Sequence, residues 1–169
     1  MMTQTNPCAP ENPTAVSTPP EAGAAAGEAV TVETRFGAIT FDASNTIYLP
    51  RGIIGFPQFR RFGLAAIPDP RMGQFKLLQS LERMDLSFLV LPVHLDGQTI
   101  LDTDVDEACA TVGVHREDAA FLLLVTLRKE DEGISVSTNV RAPIILDTSS
   151  QVARQYVLPN TDYPIRQTL

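Results

Sequence analysis

In its 169 residues the chain has no tryptophan, two histidines and two cysteines, and each scarcity closes off a class of chemistry. Cys8 lies in a Pro/Ala-rich leader and Cys109 in the body of the chain, which gives neither a disulfide framework nor a metal-ligand spacing. Cys109 reads as a buried small apolar residue. His94 and His115 have no second His or Cys at ligand distance along the chain, so no metal site is predicted. Long apolar runs are missing too. The longest, residues 119–125, is too short to cross a bilayer. No Lys or Arg precedes Arg35 and no leucine-rich stretch opens the chain, so a secretory signal is not predicted and the cytoplasm is the expected location. Positive charge is sparse: 13 basic against 20 acidic residues give a formal charge of −7. A nucleic-acid surface needs clustered Lys and Arg, and only Arg60-Arg61 and Arg128-Lys129 cluster here. An acidic surface suits a basic protein partner better than RNA.

What is present divides at residue 30. Residues 1–30 hold five Pro, seven Ala and two Gly, without an aromatic, Leu, Ile or basic residue. Such a segment cannot bury enough apolar surface to offset an ordering entropy of about 1–2 kcal/mol per residue, and it reads as a disordered extension. Residues 31–169 read as one domain of short strands separated by turns. Apolar alternation marks strands at 30–34, 38–41, 47–49, 62–67, 75–80, 86–91, 119–127, 134–138, 142–146 and 152–158. Phe36-Gly37 is a hairpin corner, and Pro92 is expected to stop the strand before it. The run 86–91 is apolar at nearly every position, as in a strand covered on both faces. Gly52 and Gly55 bracket Ile53-Ile54 and indicate unusual backbone angles. One helix is expected, with Asp104 as N-cap, Glu107 reaching back, Val105, Ala108, Cys109 and Val112 on the buried face, and Gly113 ending it. The predicted fold is mainly β: a small antiparallel barrel-like domain with one short helix packed against it.

Catalytic motifs are absent. There is no G-x-S-x-G elbow, P-loop or G-x-G-x-x-G fingerprint, and Gly52-Ile-Ile-Gly55 has the wrong spacing for any of them. Cys109 with a histidine is the one pair from which a small hydrolase could be built. A flavin-type binding barrel is the other alternative, though no aromatic or phosphate-cradling cluster supports it. No catalytic residue, metal ligand or cofactor is assigned.

Several segments, in order, carry a family resemblance. They are Thr34-Arg-Phe-Gly-Ala-Ile39, Leu49-Pro-Arg-Gly-Ile-Ile-Gly-Phe56, Leu78-Gln-Ser80, Asp85-Leu-Ser-Phe-Leu-Val90, Thr138-Asn-Val-Arg-Ala-Pro-Ile-Ile-Leu146 and Tyr163-Pro-Ile-Arg166. Together they resemble the FliW family of flagellar assembly factors over residues 31–169. Ile54 stands where that family usually has Pro, Gln167 where it often has His, and Glu82-Arg83-Met84 is less acidic than usual. The resemblance implies a non-catalytic, monomeric protein that binds flagellin. It also implies binding to CsrA, a small basic RNA-binding regulator whose repression of flagellin translation is relieved when it is sequestered. On this reading Asp102, Asp104, Asp106, Glu107, Glu117 and Asp118 face the basic partner. Ile53, Ile54 and Phe56 form an apolar surface for flagellin.

Overall fold

The computed structural model describes residues 29–95, 97–131 and 133–169. The expected extension 1–30 therefore lies, apart from its last two residues, outside the described residues. Eleven strands and one helix follow in chain order. The strands are β1 (Val30–Thr34), β2 (Gly37–Phe41), β3 (Thr46–Tyr48), β4 (Arg61–Ala66), β5 (Lys76–Ser80) and β6 (Ser87–Val93). After the helix α1 (Asp102–Val112) come β7 (Ala119–Glu130), β8 (Gly133–Thr138), β9 (Ile144–Asp147), β10 (Val152–Gln155) and β11 (Gln167–Thr168). No helix among the described residues is long and apolar enough to cross a membrane.

Seven strands close into a ring in the order β3-β4-β5-β6-β7-β9-β10, and β10 returns to β3. All the pairings are antiparallel except that last one, a single parallel position, Val152 opposite Tyr48. Closure depends on the length of β7. One edge of it pairs with β6 through residues 121–125. The other edge is shared, Ala119–Leu122 pairing with β9 and Val125–Glu130 with β8. The outer half of β7 thus leaves the barrel as a β7–β8 hairpin, to which β11 adds.

Period-2 alternation sorts the strand residues into two sets. Ile47, Phe62, Leu78, Val90, Leu122, Ile144, Leu146 and Ala153 fill the barrel in one cluster. The opposite set is covered from outside. Phe121, Leu123 and Ile145 lie under Val105, Ala108 and Cys109 of α1. Leu77 and Leu89 join a cluster with Phe36 and Ile39 of the β1–β2 hairpin. Covers on both faces explain why residues 86–91 and 119–125 are apolar without alternation. Gly63 lets the hairpin approach: a Cβ there would sit 2.0 Å from the Phe41 ring.

Four sequence expectations are corrected. β6 continues through Pro92, which lies opposite Leu122; β5 ends its pairing at Val90, so no ladder on that side is broken. The helix begins at Asp102, two residues before the expected cap, and its N-cap is Leu101, which offers no side-chain bond. β10 ends at Gln155 rather than at residue 158, and β11 was not anticipated. The helix end agrees: Gly113 takes φ 72 and closes it as a left-handed cap.

Candidate partner-binding surfaces

The glycine loop follows β3. Gly52 has φ 62, and a Cβ on it would fall 2.5 Å from the Phe56 carbonyl oxygen, so only glycine lets the loop fold back on itself. The Phe56 amide closes the turn by donating to the Ile53 carbonyl at 2.7 Å. This turn separates two adjacent isoleucines. Ile53 is 1% exposed and belongs to the barrel core. Its expected place on an apolar docking surface is therefore corrected, because the side chain plugs the barrel and presents no surface. Ile54 is 64% exposed, and its amide donates to Gln155 Oε1 at 2.8 Å. Gln155 Nε2 in turn donates to the Ala142 carbonyl at 3.2 Å, so Ile54 stands on a tethered backbone. Phe56 is half-buried, edge-on to Phe88 with ring centroids 5.6 Å apart.

The acidic stretch is not a uniform negative surface. Arg116, from the 3₁₀ turn Arg116–Asp118, donates to Asp106 Oδ1 at 2.6 Å and also pairs with Asp102. Asp104 is half-buried and accepts the hydroxyl of Tyr163. That hydroxyl accepts the Leu101 amide at 3.0 Å, so Tyr163 supplies the helix cap that Leu101 lacks. Burial, and then the bond to Asp104, push the Tyr163 phenol above its ordinary pKa. Asp118 is half-buried, and its main-chain carbonyl holds Thr148. Glu107 and Glu117 are exposed, with no side-chain bond among the described residues. Asp102 and Asp106, one turn apart on α1, thus meet at Arg116, Glu107 and Glu117 are exposed elsewhere on the helix and the turn after it, and Asp104 is half-buried.

Residues quoted above as family motifs act largely as ties. Gln79 is 2% exposed, and its Nε2 reaches the carbonyls of Ser80, Met84 and Leu86, each at 3.0 Å. Ser80 Oγ accepts the Glu82 and Arg83 amides, and Asn139 Oδ1 accepts the Ala142 amide. Such bonds hold loops that the barrel alone would leave free. Sequence reasoning missed Arg51, Arg154 and Tyr156, which line a cleft beside Ile54. Arg154 carried a faint signal, as a charge inside an otherwise apolar alternation.

The alternatives lose their parts. Among the described residues, core side chains fill the inside of the barrel and leave no ligand cavity there. Cys109 is 3% exposed, and burial pushes its thiol above the ordinary value, the opposite of what an activated nucleophile needs. No group of three His, Cys, Asp or Glu that could hold a metal occurs among the described residues.

A sequence profile of the FliW protein family matches residues 30–169. The chain is 34% identical over 135 residues to the flagellar assembly factor FliW of Geotalea uraniireducens (strain Rf4), covering 79% of each. It is 31% identical to the flagellar assembly factor FliW of Syntrophotalea carbinolica, covering 82% of this chain and 96% of that one. A crystal structure of the flagellar assembly factor FliW has the same fold, with a TM-score of 0.61 at 20% identity over 83% of this chain and 96% of that one. The profile match, which runs from the first residue of β1 to the C-terminus, places this chain in the FliW family of flagellar assembly factors.

Proposed function

We propose that this chain is a cytoplasmic, non-catalytic, monomeric adaptor that binds flagellin and antagonises CsrA, so that sequestering CsrA relieves repression of flagellin synthesis. Contact between proteins does the work, with no cofactor and no direct nucleic-acid binding. The observation that supports this reading is the exposed acidic ridge of α1 and the turn after it, where Glu107 and Glu117 have no side-chain partner among the described residues and Asp102 and Asp106 share Arg116. Negative potential concentrated on one side steers a basic partner and disfavours acidic ones. Flagellin docks at the glycine loop, where Ile54 is exposed and Phe56 half-exposed.

The test is capture of the purified chain on immobilised flagellin and on immobilised CsrA at low and high salt. Binding to both is expected, with the CsrA contact weakening as salt rises. Reversing Glu107 and Glu117 to Lys weakens CsrA binding, flattens its salt dependence and leaves flagellin capture unchanged. Undiminished CsrA binding by that variant removes the ridge as the docking face, and capture by neither protein removes both partners.

A further inference from the structure

A cleft of about 640 Å³ opens beside the glycine loop and is lined by Arg51, Ile54, Val112, Arg154 and Tyr156 among others. Its lining holds two arginines and no acid, in a chain of formal charge −7. Arg71, Arg83 and Arg116 are all paired with carboxylates of this chain. The two cleft arginines are not. Arg154 Nη1 donates to the Val112 carbonyl at 3.0 Å, which aims the guanidinium at the end of α1 and leaves most of its donors unused. Arg51 makes no hydrogen bond or ion pair with any described residue. The same cleft carries the tethered Ile54, an apolar side chain held out from the protein.

Arg154 and Gln155 of β10 form one wall of the cleft, beside Val152, which is bridged to Tyr48 of β3, and the fully buried Ala153. An exposed aliphatic side chain and two guanidinium groups without a carboxylate partner select for one kind of occupant. A segment of a protein partner lays an aliphatic side chain against Ile54. A carboxylate on it meets the arginine forks, which match carboxylate geometry better than a lysine would. A polyanion such as RNA fits poorly, because the rest of the chain repels it.

We propose that this cleft docks a segment of a protein partner that carries a carboxylate side chain next to an aliphatic one. The proposal rests on the adaptor reading and gives the chemistry of its glycine-loop surface.

The experiment is a titration of the isotope-labelled full-length chain, followed by NMR, with the acetylated peptide amide Gly-Ile-Glu-Leu-Gly. Controls are the same peptide with Gln for Glu, and sodium acetate. The Glu peptide is expected to shift the amide signals of residues 51–55 and 154–156 and to bind roughly tenfold more tightly than the Gln peptide. Arg51→Gln, which breaks no internal contact, removes that preference, and Ile54→Ser weakens both peptides. The proposal is overturned if these signals do not move, if both peptides bind alike, or if acetate alone reproduces the shifts. Shifts elsewhere that depend on protein concentration, showing a second copy in the cleft, also overturn it. Capture on flagellin separates the two readings. Failure there with peptide binding intact removes flagellin and keeps the cleft, whereas intact capture with an inert cleft does the reverse.

Discussion

The glycine loop and the acidic stretch sit on opposite sides of one lesson about surface chemistry. In the loop, two adjacent isoleucines with the same side chain have opposite fates, Ile53 in the core and Ile54 in solvent. In the acidic stretch, carboxylates one or two residues apart also part company: Asp104 caps a tyrosine, Asp102 and Asp106 share an arginine, and Glu107 is free. Residue type alone predicts neither outcome. A left-handed glycine decides the first and the 3.6-residue helical period decides the second.

The sharpest way to break the first half of that comparison is to shorten each isoleucine in turn. Ile53→Ala should cost about 2–5 kcal/mol, through lost burial and a cavity at the barrel end. Ile54→Ala should stay within about 0.5 kcal/mol of the parent, as exposed positions do. Urea unfolding midpoints check both, and equal midpoints would show that the two side chains do not differ in burial.

The acidic stretch gives the next largest effect. Tyr163→Phe keeps the ring and deletes the hydroxyl, leaving the Leu101 amide and the half-buried Asp104 without their shared partner. A loss of about 1–2 kcal/mol is expected, with faster hydrogen exchange in the first turn of α1. Unchanged exchange there would show that Tyr163 is not the cap.

Arg116→Gln sharpens the contrast between compensated and free carboxylates. Its ion pairs are at the surface, so stability should fall by no more than about 1 kcal/mol. On the proposed function, binding to CsrA should instead tighten and become more salt-sensitive, because Asp102 and Asp106 are unmasked. Calorimetry at two salt concentrations reads both quantities, and weaker binding would place Arg116 itself in the contact.

The smallest effect is at Asp147, where the Ser149 and Ser150 hydroxyls, and then their amides, hold the carboxyl down at about 2. A folded-state value below the unfolded one of about 3.9 makes its contribution complete above pH 4. That contribution is lost as pH falls from about 4 towards 2. Asp147→Asn should flatten stability in that window and leave it unchanged in slope near pH 7. An unaltered acid limb in thermal melts would exclude the serine turn as its source.

Much of the fold was legible because it is local. The β1–β2 corner at Gly37, the left-handed cap at Gly113 and the alternating runs depend on neighbours a few residues away. The covered faces of 86–91 and 119–125 were legible for the same reason, since a strand's two faces are written in consecutive residues. The candidate site was less so. Pro92 was misread because tolerance of proline depends on where a neighbouring strand ends, and Asp104 because its partner Tyr163 lies 59 residues away.

By itself, then, the sequence determined the class of fold, the helix with its buried face and the acidic balance, since turn chemistry, periodicity and charge are properties of short stretches. Tertiary structure alone decided that β7 divides one edge between β9 and β8 to close the ring, and that Ile53 enters the core while Ile54 stays out. It also decided which carboxylates remain free to meet a partner and that Arg51 and Arg154 share one cleft. These depend on distance in space between residues far apart in the chain, which no local pattern records.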